Sequence, residues 1–254
     1  MRRARFTVAY DGTELNGFAE QLGVPTVLGE IRASIERILQ RPIEMAGAGR
    51  TDAGVHGWGQ VISLDLPTGF DLAGLQRRVN KMCGPNIAVR EIAWTDDPKF
   101  HARYSAVSRH YRYHVLNSRE SNPFVARTAW HVTEPLQLWA MNLACDPLIG
   151  EHDFSSFCRR PKVDHGDRER SLRRNVHHAQ WKVVPGDVPG LLRFEISANA
   201  FCHQMVRSIV GTLVEVGIGK LHAGDVRSIL VQRNRQVSGQ VAPAHGLVLW
   251  EVGY

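Results

Sequence analysis

The chain has few cysteines and no long apolar run, and both absences restrict the class of protein. Its four cysteines, among 254 residues, form no CxxC pair and no disulfide-framework spacing, so we expect free thiols in a reducing cytoplasm. The most apolar stretch, "SIVGTLVEVGIG", contains Glu215 and is too short to span a bilayer. The opening "MRRARFTVAYDG" is predicted to be a strand rather than a signal segment. We therefore expect a cytoplasmic protein with no membrane partner.

Metal-ligand spacing is also missing, although the chain has 12 histidines. The candidate ligands Cys158, His177, His178, Cys202 and His203 lack the paired spacing of a zinc site. We therefore predict no metal, and a metal-dependent nucleotide hydrolase is the weaker alternative.

Positive charge is in excess and is concentrated in one segment. The chain has 31 Lys and Arg against 25 Asp and Glu, a net charge of +6, which favours a polyanionic partner. The segment 159–174, "RRPKVDHGDRERSLRR", contains seven basic and three acidic residues without apolar periodicity. It is predicted to be a flexible basic loop that binds RNA; the alternative is a solvated loop without a ligand. The candidate RNA-binding residues here are Arg159, Arg160, Arg170, Arg173 and Arg174.

The first half of the chain is predicted to follow the order β-α-β-β-α-β. Alternating and 3.6-residue apolar patterns distinguish its strands from its helices, and Asp71 is a plausible helix N-cap. The predicted strands are 6–10, 43–46, 59–66 and 87–94, and the predicted helices are 27–40 and 71–82.

The second half is predicted to repeat this order. Its predicted strands are 110–117, 175–184, 191–199 and 246–252, and its predicted helices are 135–148, 203–217 and 224–232. We therefore predict an α+β fold of two tandem ferredoxin-like halves, with domains 1–103 and 104–254 and a largely antiparallel sheet. The central cleft between the halves is the expected ligand site.

A single carboxylate stands in the glycine-rich stretch "GAGRTDAGVHGWGQV" at 47–61. Glycines on both sides of Asp52 allow tight turns and close approach of another backbone. A glycosidase-type pair needs a second acid at a defined separation, and the stretch offers none. The pattern favours one carboxylate acting as nucleophile or electrostatic anchor; the alternative is a turn-forming aspartate.

Seven motifs in order along the chain resemble the TruA-type tRNA pseudouridine synthases. They are "YDGT" at 10–13, "GRTDAGVHGWGQV" at 49–61, "FHARYSA" at 100–106, "RHYRYHVLN" at 109–117, "DFSSF" at 153–157, "ANAFCHQMVRSIVGTLVEVG" at 198–217 and "GLVL" at 246–249.

The resemblance implies an isomerase that converts uridine to pseudouridine at positions 38 to 40 of the tRNA anticodon arm. It also implies that Asp52 is the catalytic aspartate, that Tyr111 packs on the target base and that Arg207 pairs with Asp52. A homodimer, a pseudouridine-synthase sheet and no cofactor are further implications. Arg50 is interpreted as an RNA-binding residue, and the role of His56 is open.

The chemistry agrees with these roles. The N-glycosidic bond breaks, the base turns and it is rejoined through carbon. Asp52 can attack the sugar at C1′, abstract a sugar proton to give a glycal, or add to C6; the residues do not choose among these routes. Arg207 would keep a buried carboxylate ionised, and Tyr111 can both stack on a flipped base and accept the C5 proton. Tyr113, two residues on, is interpreted as a core residue.

One position departs from the family pattern. Members carry "GWQ" after the first strand, whereas this chain has "GFAEQLGVPT" with Phe18 in place of tryptophan, which puts a local RNA contact or packing interaction in doubt. A catalytically silent RNA-binding module is the alternative from another class; the presence of Asp52, Tyr111 and Arg207 together argues against it.

Overall fold

The computed structural model describes residues 1–160 and 171–254. The chain divides into two compact units: the first unit contains residues 1–107 and 248–254, and the second unit contains residues 108–247. No helix in these described ranges has the length and apolar character needed to cross a membrane.

The described residues form ten strands and five α-helices. The strands are β1 (Arg2–Tyr10), β2 (Met45–Gly47), β3 (His56–Leu66), β4 (Ile87–Trp94), β5 (Ser108–Asn117), β6 (Trp130–Val132), β7 (Gly150–Asp153), β8 (Arg173–Val183), β9 (Leu191–Ala198) and β10 (Leu247–Gly253). The helices are α1 (Val27–Leu39), α2 (Leu72–Cys83), α3 (Leu138–Leu143), α4 (Met205–Gly217) and α5 (Asp225–Gln232).

The first unit has the predicted element order, with α1 and α2 packed on one face of its sheet. β1 is antiparallel to both β3 and β4, β2 is antiparallel to β3, and β10 runs parallel to β3. Alternate residues of β1 are buried, as expected for a strand with one covered face. Phe6, Ile31, Ile35, Leu75 and Val79 are buried in the resulting core.

Side-chain caps define where the two helices of the first unit begin. The Thr26 hydroxyl accepts a hydrogen bond from the Gly29 amide at 3.3 Å, and the Asp71 carboxylate accepts one from the Gly74 amide at 2.9 Å. Each cap satisfies an amide that has no partner within the helix. The predicted N-cap role of Asp71 is confirmed.

The second unit is a mostly antiparallel sheet with a deeply buried helix. β9 lies between β5 and β8, β7 is antiparallel to β8, and β6 runs parallel to β5. Eleven of the 13 residues of α4 are buried, so this helix is a core element rather than a surface one. Gly211 permits this depth, because a Cβ there would overlap the Gln240 carbonyl oxygen.

Several second-half predictions need correction. The predicted helix 135–148 is α3 followed by a 3₁₀ turn at Asp146–Leu148, because Pro147 cannot donate the hydrogen bond that continues a helix. Pro135 lies before α3 rather than in its first turn. The short strands β6 and β7 were not predicted; four residues of β7, "GEHD", are too few to show an alternating pattern.

The element order of the second unit also differs from the predicted repeat. It is β5-β6-α3-β7-β8-β9-α4-α5, and the closing strand β10 pairs with β3, with Val248 opposite His56. Most of β10 thus belongs to the first unit, which contains residues 1–107 and 248–254. The mixed α+β class and the mainly antiparallel pairing are confirmed.

Candidate active site

The loop that carries Asp52 is held by main-chain hydrogen bonds at both of its ends. The Ala48 amide donates to the Val61 carbonyl at 2.8 Å, the Phe18 amide to the Thr51 carbonyl at 3.1 Å, and the Val55 amide to the Asp52 carbonyl at 3.1 Å. Asp52 is half-buried. The carboxylate is therefore placed by a fixed backbone rather than by a free loop.

The segment after β1 packs directly against this loop, and glycine makes the approach possible. A Cβ at Gly12 would overlap the Val55 carbonyl oxygen, and a Cβ at Gly17 would lie 2.8 Å from the Thr51 carbonyl oxygen. Gly17 also has φ +91°, a conformation that other residues avoid. The Tyr10 hydroxyl lies 2.9 Å from the Thr51 hydroxyl. The "YDGT" motif thus supports the Asp52 loop.

Phe18, the departure from the family pattern, is a packing residue. Its side chain is 2% exposed, and its ring centroid lies 6.2 Å from that of Tyr10. Gly47 leaves room for the ring, because a Cβ at Gly47 would overlap it. The substitution therefore changes core packing beside the Asp52 loop, and the buried ring is not an RNA contact surface.

His56 connects the "YDGT" segment to β3. The side chain is 5% exposed, and its Nδ1 accepts a hydrogen bond from the Gly12 amide at 3.1 Å. The Asp11 carboxylate also lies 3.1 Å from this Nδ1. His56 thus links the start of β3 to the "YDGT" segment through Gly12 and Asp11.

Tyr111 lies on β5 in the second unit, opposite Ile196 of β9. The side chain is 8% exposed, and its ring meets that of Phe201 edge to face, with centroids 5.1 Å apart and an interplanar angle of 86°. This geometry is a favourable one for aromatic pairs. Sequence reasoning missed Phe201, although it stands in the "ANAFCHQMVR" motif and fixes the Tyr111 ring.

Tyr113 is a core residue, as predicted. It is fully buried, and its hydroxyl donates to the Pro243 carbonyl at 2.8 Å. Burial raises the pKa of its phenol far above the usual range, and the nearby Arg207 charge opposes this only in part. Tyr113 therefore stays protonated and cannot act as a base at neutral pH.

Arg207 occupies the first turn of α4 and is held at one side of its guanidinium. Its Nε donates to the Ala242 carbonyl at 2.7 Å, and the Ala242 amide donates to the Arg207 carbonyl at 3.1 Å. The side chain is half-buried. A freely solvated arginine on a helix surface would lack these contacts.

The predicted RNA-binding arginines fall in different settings. Arg50, Arg159 and Arg160 are exposed, and Arg170 lies outside the described residues. Arg173 forms an exposed ion pair with Glu151 at 3.0 Å, and Arg174 donates to the Ser171 carbonyl at 2.9 Å. Arg173 and Arg174 belong to β8, so the predicted loop is shorter than 159–174 because its end pairs with β7.

Within residues 1–160 and 171–254, no three His, Cys, Asp or Glu side chains converge as potential metal ligands. The candidate functional residues are Asp52 and Arg50 in the first unit, and Tyr111, Phe201 and Arg207 in the second.

Comparison with known proteins identifies the family of the chain. The tRNA pseudouridine synthase family model matches residues 144–254. A tRNA pseudouridine synthase A of Brevibacillus brevis is 39% identical over all of both chains. The protein of that name in Halalkalibacterium halodurans is 40% identical over 98% of this chain and 91% of its own length. The chain belongs to the tRNA pseudouridine synthase A family. Another member, from Bacillus subtilis, is 35% identical over 99% of each chain.

The family model and the full-length relatives cover different parts of the candidate site. The matched model begins near the end of α3 and includes Phe201 and Arg207, whereas the full-length relatives also cover the Asp52 loop and Tyr111. The sequence resemblance to a tRNA pseudouridine synthase is thus confirmed over both units.

Proposed function

We propose that Asp52 is the catalytic carboxylate of this tRNA pseudouridine synthase, which isomerises uridine to pseudouridine in tRNA. The observation that carries the proposal is the fixed loop around Asp52, held by the Ala48, Phe18 and Val55 amides. The reaction breaks the C1′–N1 bond and forms a C1′–C5 bond, so the reacting group must stay in register while the base turns. A preorganised backbone supplies that precision.

Tyr111 is proposed to hold the detached base and to accept its C5 proton. Its ring is fixed edge-on by Phe201, and aromatic stacking is worth about 1–3 kcal/mol per base. Tyr113 is excluded from the proton role because burial keeps its phenol protonated. Tyr111 is the remaining tyrosine of this strand.

Arg207 is proposed to supply the positive charge that keeps the Asp52 carboxylate ionised in the complex. The hydrogen bond from Nε to Ala242 fixes the plane of the guanidinium, which favours bidentate recognition of a carboxylate. On this proposal the N-terminal domain carries the nucleophile, and the C-terminal domain carries the tyrosine and arginine.

The proposed substrate region is the anticodon stem-loop, bound by a homodimer in the cytoplasm. Arg50, Arg159 and Arg160 are exposed and are suited to phosphate contacts, which supply most non-specific RNA affinity. Uridines in the anticodon arm are the proposed targets, and no cofactor is required.

The test is conversion of an unmodified tRNA transcript without added metal, followed by nucleoside chromatography. Wild-type protein should produce pseudouridine, and Asp52→Asn should produce none while binding tRNA with nearly unchanged affinity. Asp65→Asn is the matched control, because Asp65 is a half-exposed carboxylate that pairs with Arg3 at 3.0 Å. Near-normal turnover by Asp52→Asn would refute the assignment.

A further inference from the structure

Two cysteines of the second unit lie side by side. Cys158 follows the 3₁₀ turn Ser155–Phe157, and Cys202 lies between β9 and α4. The thiols are hydrogen-bonded to each other, and the next residues are linked as well, since the Arg159 amide donates to the His203 carbonyl at 2.9 Å. The main-chain segments that follow Cys158 and Cys202 are therefore hydrogen-bonded to each other next to the two sulfurs.

The two sulfurs differ in exposure and in acidity. Cys158 is 1% exposed, whereas Cys202 is half-buried. The hydrogen bond from the Cys158 thiol, with the positive charge of Arg174, lowers the pKa of Cys202. The same hydrogen bond and burial raise the pKa of Cys158. Cys202 thus has the features of an attacking thiol, and Cys158 those of a buried second thiol.

The other two cysteines lack this arrangement. Cys145 is buried and donates to the Met141 carbonyl at 3.2 Å, and burial raises the pKa of its thiol to about 12. Cys83 lies 3.1 Å from the Ser34 hydroxyl, and burial also raises its pKa. Both are therefore internal controls for thiol reactivity.

We propose that Cys202 and Cys158 form a modification site for hydroperoxides, in which Cys202 reacts first and Cys158 resolves the product as a disulfide. The Cys202 thiolate attacks the peroxide oxygen, the O–O bond breaks, and Cys202 becomes a sulfenic acid while the leaving alkoxide or hydroxide takes a proton. The Cys158 sulfur then attacks the Cys202 sulfur, the S–O bond breaks, and the hydroxyl leaves as water with the Cys158 proton. Two thiols and one hydroperoxide thus give one disulfide, one alcohol or water, and one water.

The main-chain geometry favours the second step. A disulfide requires Cα atoms within about 7 Å, and the hydrogen bond between Arg159 and His203 holds the adjoining residues together. Bridging therefore needs side-chain rotation with little backbone movement. A thiol reductant reverses the reaction, which distinguishes it from irreversible oxidation.

Charged side chains surround the two cysteines, and disulfide formation by Cys158 prevents further oxidation of Cys202 among them. Arg174 lies beside Cys202 and Arg235 beside Cys158, with the Asp153 carboxylate also near Cys202. Without a resolving thiol, further oxidation would leave a sulfinate anion among these groups. Cys158 thus protects Cys202 from irreversible oxidation.

The experiment treats folded wild-type protein with a small excess of hydrogen peroxide, traps free thiols with an alkylating reagent and identifies tryptic peptides by mass spectrometry. We expect a cross-link between peptides 128–159 and 194–207, with fragmentation assigning it to Cys158 rather than Cys145. A phosphine reductant should restore all four free thiols. Cys202 should be consumed about tenfold or more faster than Cys145.

Three variants separate the roles. Cys145→Ala should form the same cross-link as wild type. Cys158→Ala should form none and should accumulate irreversibly oxidised Cys202. In Cys202→Ala the buried Cys158 has no partner thiol and should stay unmodified. This variant keeps the proposal testable if Cys158→Ala folds poorly. The proposal is overturned if Cys202 reacts no faster than Cys145, or if wild type yields sulfinic acid at Cys202 without the cross-link.

Discussion

At the scale of single residues, Arg207 stands where helix electrostatics would not place an arginine. The N-terminus of a helix carries partial positive charge, and Arg207 lies in the first turn of α4. Its Nε contact with Ala242 holds it there. On the proposal that Arg207 pairs with Asp52, the positive charge at this position serves the carboxylate.

Replacing Arg207 tests this demand. Arg207→Met should lower the single-turnover rate of pseudouridine formation by about a hundredfold or more, since one electrostatic partner in a desolvated site contributes on that order. Arg207→Lys keeps the positive charge but not the planar guanidinium, so its rate should lie between those of wild type and Arg207→Met. Thermal unfolding should show that each variant is folded. A Met variant as fast as wild type would contradict the role.

Tyr111 and Tyr113 offer a matched comparison, because alternation places both side chains on one face of β5. Tyr111→Phe should lose about a hundredfold or more in single-turnover rate if its phenol accepts the C5 proton. Tyr113→Phe should keep the rate and lose about 1 kcal/mol of stability with its bond to Pro243. Tyr111→Leu should also lose the stacking energy, about 1–3 kcal/mol. Equal rates for wild type and Tyr111→Phe would remove the proton role.

At the scale of elements, local patterns predicted most of the structure, and long-range pairing decided the rest. Helices α1, α2, α4 and α5 show strong apolar periodicity and were predicted to within a few residues at either end. The pairing of β10 with β3 joins segments far apart in the chain, and no local pattern encodes it. Phe201 was missed for the same reason. Its ring packs on Tyr111, but it lies between β9 and α4, 90 residues along the chain from Tyr111.

An ion cluster around Glu195 of β9 should make the stability of the fold depend on pH. Glu195, 8% exposed at its side chain, lies 3.1 Å from Arg112 on β5, 2.5 Å from Lys182 on β8 and 3.0 Å from Arg193 on β9. Burial raises the pKa of Glu195, but the hydrogen bond from Lys182 and the three positive charges outweigh it, so its pKa lies below the usual value of 4.5. The cluster therefore stabilises the fold above that value, and this contribution is lost as pH falls through the lowered pKa.

Glu195→Gln should remove this acid-side dependence. At neutral pH the variant should lose roughly 1–3 kcal/mol of unfolding free energy, a value below that of a fully buried pair because the cations are partly exposed. Its stability should then fall less steeply than that of wild type below pH 4.5. Denaturant unfolding at several pH values measures both effects. Glu151→Gln, which removes an exposed pair with Arg173, is the control and should change little; parallel pH curves for wild type and Glu195→Gln would contradict the assignment.

At the scale of the whole molecule, the net charge is +6, and its distribution over the surface should decide where tRNA binds. A uniform excess would attract tRNA to every face, whereas productive binding requires phosphates to meet particular arginines. Arg159 and Arg160 are adjacent and exposed, and so are Arg77 and Arg78 on α2. The two pairs carry the same charge and differ in location.

This equality permits a controlled test of the basic segment. Arg159→Ala with Arg160→Ala and Arg77→Ala with Arg78→Ala each lower the net charge by two, from +6 to +4. We expect only the first double variant to weaken tRNA binding and to reduce the slope of log affinity against log salt, by roughly 0.7–0.9 for each phosphate that is no longer neutralised. Its single-turnover rate at saturating protein should stay near wild type, because Asp52 is unchanged. If both double variants weaken binding equally, net charge rather than the 159–160 pair governs affinity; if saturating protein fails to restore the rate of the first, these arginines act in the chemical step.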